Sequence, residues 1–118
     1  MMEERTKEEI EWHFNRFIDV IRDYLNQERQ LDLNQDEIVV RVDKGRVYWK
    51  IWVDNLSGWG MCNSHIFGFV RKKDGAILRP ADRNKPETRT KSAIRGYVYD
   101  EHLTNYFTRY GIVYAEGQ

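Results

Sequence analysis

Apolar and polar positions first fall into a helical rhythm. Thr6-Lys7-Glu8-Glu9 has the form of a capping box, in which a hydroxyl accepts a free backbone N–H and a glutamate three residues on reaches back. Beyond it Ile10, Phe14, Phe17, Ile18, Ile21 and Leu25 recur at steps that share one face of a 3.6-residue period. This spacing predicts a helix over residues 6–26 whose single apolar stripe covers a sheet, the alternative being a partner-binding or membrane-surface helix.

The rhythm then changes to a period of two. Residues 37–43 read as a strand, Asp43-Lys44-Gly45-Arg46 as a turn, and residues 46–54 as the hairpin partner. In that second strand Val47, Trp49, Ile51 and Val53 alternate with Tyr48, Lys50, Trp52 and Asp54. The first set is expected under the helix; Tyr48 and Trp52, large for an open surface, are expected to be covered locally by the C-terminal segment or to bind something. Asn55-Leu56-Ser57-Gly58-Trp59-Gly60 has loop composition, residues 62–71 read as a third strand, Lys73-Asp74-Gly75 as a tight turn, and residues 76–79 as a fourth strand stopped by Pro80. Residues 81–95 lack periodicity and read as a long surface loop. A short extended segment over 96–99 precedes an expected helix over 100–109, capped by Asp100, with Leu103, Tyr106, Phe107 and Tyr110 inward and Gly111 ending it in the left-handed region. Residues 112–115 are expected to return to the sheet as an edge strand. The expected fold is α+β: one domain over 1–118, an N-terminal helix on an antiparallel four- to five-stranded meander, and a short C-terminal helix.

Composition narrows the function classes. The 118 residues are 41% hydrophobic and 32% charged, which describes a folded domain with a well-solvated surface. No apolar run approaches the roughly 20 residues that span a bilayer, and Met1-Met2-Glu3-Glu4 is no signal peptide, so no membrane association is expected. A lone cysteine, Cys62, closes no internal disulfide and suits a reducing compartment, with the cytoplasm as the expected location. Net charge is zero, but its distribution is uneven. Between residues 71 and 96 stand nine Lys and Arg against three acids, a local charge of +6 that leaves −6 for the remainder.

The run Phe69-Val70-Arg71-Lys72-Lys73-Asp74-Gly75-Ala76-Ile77-Leu78-Arg79-Pro80-Ala81, followed by Ala93-Ile94-Arg95-Gly96-Tyr97-Val98-Tyr99-Asp100 and Tyr110-Gly111-Ile112-Val113-Tyr114, resembles a family of small uncharacterised phage proteins. The likeness covers roughly the C-terminal half. It rests on a hairpin ending in a basic residue and alanine, a loop with lysine and proline, an Arg-Gly before a short apolar segment, and a late Tyr-Gly. Asp82-Arg83-Asn84-Lys85-Pro86 stands where the family has a tryptophan-lysine-alanine-proline loop, and the loop here is longer. The resemblance implies a viral or mobile-element origin, hence a host cytoplasm, and brings no activity, catalytic residue or cofactor with it.

Candidate chemistry is sparse. Cys62 and His65 are three apart on a predicted strand, which directs them to opposite faces, and His13 and His102 have no partner at a metal-binding spacing. Gly58-Trp59-Gly60 lacks the following helix of a phosphate loop. No catalytic residue, metal ligand or cofactor is assigned, and an enzyme is not expected. The remaining candidate is the basic segment. Lys72, Lys73, Arg79, Arg83, Lys85, Arg89, Lys91 and Arg95 would neutralise phosphates of a nucleic acid or another polyanion, and Trp59 would stack on a base. The bland alternative is a solvated loop facing the acidic helix. A second function class is a protein-interaction module, such as a modulator of a host protein, built on the acidic helix surface or on Tyr48 and Trp52. Edge strands at both ends of the meander offer a route to a homo-oligomer.

Overall fold

The computed structural model describes residues 6–31, 37–56, 62–81, 85–88, 93–108 and 111–113. Thr6 caps the helix as its sequence predicts: the Glu9 N–H donates to Thr6 Oγ1 at 3.2 Å. The helix, α1, spans Lys7–Leu31, five residues beyond the expected end, because residues 27–31 contain no glycine or proline to stop it. All six residues of the predicted stripe are buried.

The sheet beneath is an antiparallel five-stranded meander in the order β1-β2-β3-β4-β5, made of Glu37–Lys44, Tyr48–Leu56, Cys62–Arg71, Ala76–Leu78 and Ile94–Tyr97. Phe14 stacks on Trp49 with ring centroids 4.3 Å apart, and Ile51, Val53, Phe67, Val70 and Ile77 complete the helix-facing core. Val47 does not belong to this set. β2 begins one residue later, and Val47 sits in the turn, 51% exposed, where its carbonyl rather than its side chain makes a contact.

A register shift in β3 opposite Ile51 and Trp52 makes Phe67 an extra residue, so that positions three apart share a face. Phe67 and Val70 point into the helix-facing core, while Phe69 joins Leu78 and Ala93 in a smaller cluster on the other side, flanked by half-buried Tyr48 and Ile66. Tyr48 is thus covered locally, but by residues of β3, β4 and the approach to β5. The segment after Pro80 is more ordered than a surface loop at its start. Pro80 and Pro86 form a bridge, Ala81 N–H donates to the Lys85 carbonyl at 2.9 Å, and Glu87 N–H donates to that of Arg79 at 2.7 Å.

The helix expected over 100–109 does not form. One 3-10 turn, Leu103–Tyr106, leads straight into β6, Phe107–Thr108, which pairs with β7, Gly111–Ile112, in a separate two-stranded sheet. Thr, Asn, Tyr and Phe are weak helix formers, and so short a helix cannot repay its nucleation cost. Asp100 is no helix cap: its Oδ2 accepts Tyr97 N–H and Tyr106 O–H, each at 2.8 Å. Gly111 has φ of 131°, but inside the hairpin instead of at a helix end, and Ile112 faces Phe107 rather than the edge of the main sheet. Leu103 and Phe107 are buried as expected; Tyr110 lies outside the described residues. No helix among the described residues is long and apolar enough to cross a membrane.

Candidate functional site

In an up-and-down meander the β1–β2 and β3–β4 turns emerge at the same end of the sheet. Here they are joined: the Lys72 N–H donates to the Val47 carbonyl at 2.9 Å. Each turn is shaped by a glycine, Gly45 N–H closing on the Tyr48 carbonyl at 3.0 Å and Gly75 adopting φ of 76°. The hydrogen bond across the turns sets Lys72 and Lys73 beside the stretch that carries Lys44 and Arg46.

The carboxylates of these two turns are otherwise engaged. Asp74 takes both Nε and Nη2 of Arg71, at 3.0 and 2.7 Å, and also the Ala76 N–H. Burial pushes the Asp74 carboxyl up, but the Arg71 hydrogen bond, the Ala76 N–H and the nearby Arg71 and Lys73 charges outweigh it and leave the group below the ordinary carboxylate value. Hydrogen bonding to Asp74 correspondingly raises the Arg71 guanidinium. Asp43 accepts the Trp52 indole N–H at 2.8 Å and lies 3.7 Å from Arg41. Among the described residues none of Lys44, Arg46, Lys72 and Lys73 is in an ion pair. Lys44, Arg46 and Lys73 are exposed, and Lys72 leans over the Trp49 ring at 5.7 Å from its centroid.

The other basic positions separate into distinct roles. Arg79 donates from Nε to the Ile112 carbonyl at 3.1 Å, which ties the main sheet to the terminal hairpin. Lys85 is exposed beside the Pro80–Pro86 bridge, and Arg95 is half-buried on β5. Arg83, Arg89, Lys91 and Trp59 lie outside the described residues. Lys44 and Arg46 carried no signal as site residues in the sequence, where they appeared only as turn chemistry. Their place beside Lys72 follows from the alignment of three strands, a long-range property.

Around Trp52 the sheet face opposite the helix carries both charge signs. Arg41 and Lys50 lie over its ring at 5.0 and 4.9 Å from the centroid. Arg41 also grips Asp54, Nε to Oδ2 at 2.9 Å, and Ser64 donates to the same carboxylate. Those two hydrogen bonds hold the Asp54 carboxyl below its ordinary value against a smaller opposing effect of burial. On the helix-facing side, His65 stands opposite Val53 with Nε2 buried and without a partner among the described residues. Burial pushes its imidazole below 6.5, against a weaker upward pull from Asp54. No group of three His, Cys, Asp or Glu able to hold a metal occurs among the described residues. Compared with family models, curated proteins and solved structures, the chain has no significant match in any of the three.

Proposed function

We propose that this chain is a small binding protein that grips a nucleic acid or another polyanion through the clasped turn end and the basic segment that continues from it. The observation that carries the reading is the Lys72 N–H to Val47 C=O hydrogen bond, which gathers Lys44, Arg46, Lys72 and Lys73 while Arg71 and Arg41 neutralise the local carboxylates. Phosphate contacts of this kind position a polyanion without reading its sequence. Arg83, Lys85, Arg89, Lys91 and Arg95 extend the charge along the chain, and Trp59 is the stacking candidate. Arg79 contributes by anchoring the fold.

The test is a polarisation titration with labelled single- and double-stranded oligonucleotides. Arg46→Glu with Lys73→Glu should weaken binding to all sequences alike, and Arg83→Glu, Lys85→Glu and Arg89→Glu together should do the same. Trp59→Ala should weaken single-strand binding by about 1 to 3 kcal/mol. No binding at low salt, or binding indifferent to both sets of reversals, removes this reading.

A second reading is a protein-interaction module. It draws on the half-buried Trp52, framed by Arg41, Lys50 and Asp43, a mixed-charge aromatic surface of the kind that anchors protein partners. With the phage resemblance, that partner would be a host protein.

A further inference from the structure

The ladder between β1 and β2 fixes which backbone groups of β1 remain for a partner. Gly45 N–H donates to the Tyr48 carbonyl, so residues 45 and 48 are a hydrogen-bonded pair, and in an antiparallel ladder such pairs alternate with non-bonded ones. Counting back along the register, Asp43, Arg41 and Val39 bond inward to Lys50, Trp52 and Asp54. The N–H and C=O groups of Ile38, Val40, Val42 and Lys44 therefore point away from the sheet. An independent contact agrees: Arg22 on α1 reaches down to the Val40 carbonyl at 3.4 Å, which requires that oxygen to face outward. β1 is an edge strand of eight residues, and no described segment pairs with its outer side.

We infer that this edge pairs with the same edge of a second copy, antiparallel about a two-fold axis through Val42, to form a continuous ten-stranded sheet. The axis must pass through a residue and not midway between two, because only then do the outward groups of the two strands meet. Centring on Arg41 or Asp43 sets that charge directly against its own copy, and centring on Val39 leaves Val42 and Lys44 without a strand partner. Centring on Val40 sets Glu37 against the partner's Asp43, a like-charge pair. Centring on Ile38 or Lys44 leaves half of each strand without a partner. Centring on Val42 sets Arg41 directly opposite the partner's Asp43, and Asp43 opposite the partner's Arg41, both on the Trp52 face. Val42 then meets Val42, and Val40 exchanges hydrogen bonds with the partner's Lys44, which displaces the long Arg22 contact. About six main-chain hydrogen bonds result from these three pairings. Charge complementarity together with the length of strand paired thus selects this register, and the self-complementary Arg41 and Asp43 select a second copy over an unrelated strand.

The experiment is sedimentation velocity across a concentration series, with circular dichroism to show that each variant is folded. The wild-type chain is expected to dimerise with rising concentration. Arg41→Glu alone should place a carboxylate against the partner's Asp43, and Asp43→Lys alone should place an ammonium against the partner's Arg41. Each should raise the dimer dissociation constant by roughly tenfold or more. An equimolar mixture of the two variants should recover dimer, because position 41 of each copy then meets the opposite charge at position 43 of the other. Val42→Pro, which removes an outward N–H and no ladder bond, should be monomeric while folded. A wild-type chain that is monomeric at every soluble concentration, or a mixture that stays as monomeric as its components, overturns the proposal. None of these readouts depends on polyanion binding.

Discussion

Tyr106 shows how one side chain closes the C-terminal region. Its ring lies against Gly96, where any Cβ would collide with it, and its hydroxyl donates to the Asp100 carboxylate that also receives the Tyr97 N–H. Burial first, and then the hydrogen bond and charge of Asp100, push the phenol up to about 12. The neutral phenol is thus favoured by folding, so its contribution is complete below pH 10 and is lost as pH rises from there towards 12. Absorbance titration of the folded protein should resolve one tyrosine ionising late, and Tyr106→Phe should remove that phase and cost about 1 to 2 kcal/mol in urea unfolding. His65 works at the other end of the scale. With its imidazole held below 6.5 by burial, its contribution is full above that pH and drains away as pH falls through the folded value. Wild-type stability should decline as pH falls below about 6.5, by at most about 1.4 kcal/mol per pH unit from this one group, and His65→Leu should flatten that part of the profile.

Among the elements, the third strand depends most on a single position. At the β3 register shift Gly68 faces the Ile112 side chain so closely that a Cβ there would overlap it. Gly68→Ala should destabilise the protein by about 1 to 3 kcal/mol in chemical denaturation, through strain between the main sheet and the terminal hairpin. Phe17→Ala should cost about 3 to 5 kcal/mol in the same measurement, because Phe17 is fully buried with its ring against Phe107. The helix stripe and the bounds of β3 were legible because period and capping are local properties. The shift at Gly68 was hidden, since Ile66 to Val70 reads as an unbroken apolar run whichever face each residue takes. In the terminal region Leu103, Tyr106 and Phe107 have helical spacing, while the bonds that decide its shape come from Asp100 and Ile112, which that spacing does not show.

Across the whole molecule, zero net charge and a +6 segment coexist because the balancing excess of acids lies outside residues 71–96, while Asp43 and Asp74 at the turn end are engaged by arginines. The sequence revealed the +6 segment but could not show that Arg71 and Arg79 serve the fold or that Lys44 and Arg46 join Lys72. If the turn end grips phosphates, log affinity should fall with log salt by about 0.9 per phosphate neutralised on duplex DNA and about 0.7 on single strands, measured by the same polarisation titration. A slope near zero would point to the Trp52 face instead.

The main core has one more consequence, in the order of its making. Ile10 and Phe17 on the first helix share that core with Phe107 and Ile112, although about 5 to 20 s of synthesis separates the two ends at typical rates. During that interval Trp49, Ile51 and Phe67 can meet the helix but not the terminal cover, so the nascent chain carries a half-roofed apolar surface. Phe67, which touches Phe107 edge to face, is among the last side chains to leave water. A ribosome stalled short of Ile112 would therefore hold a sheet that chaperones can still bind.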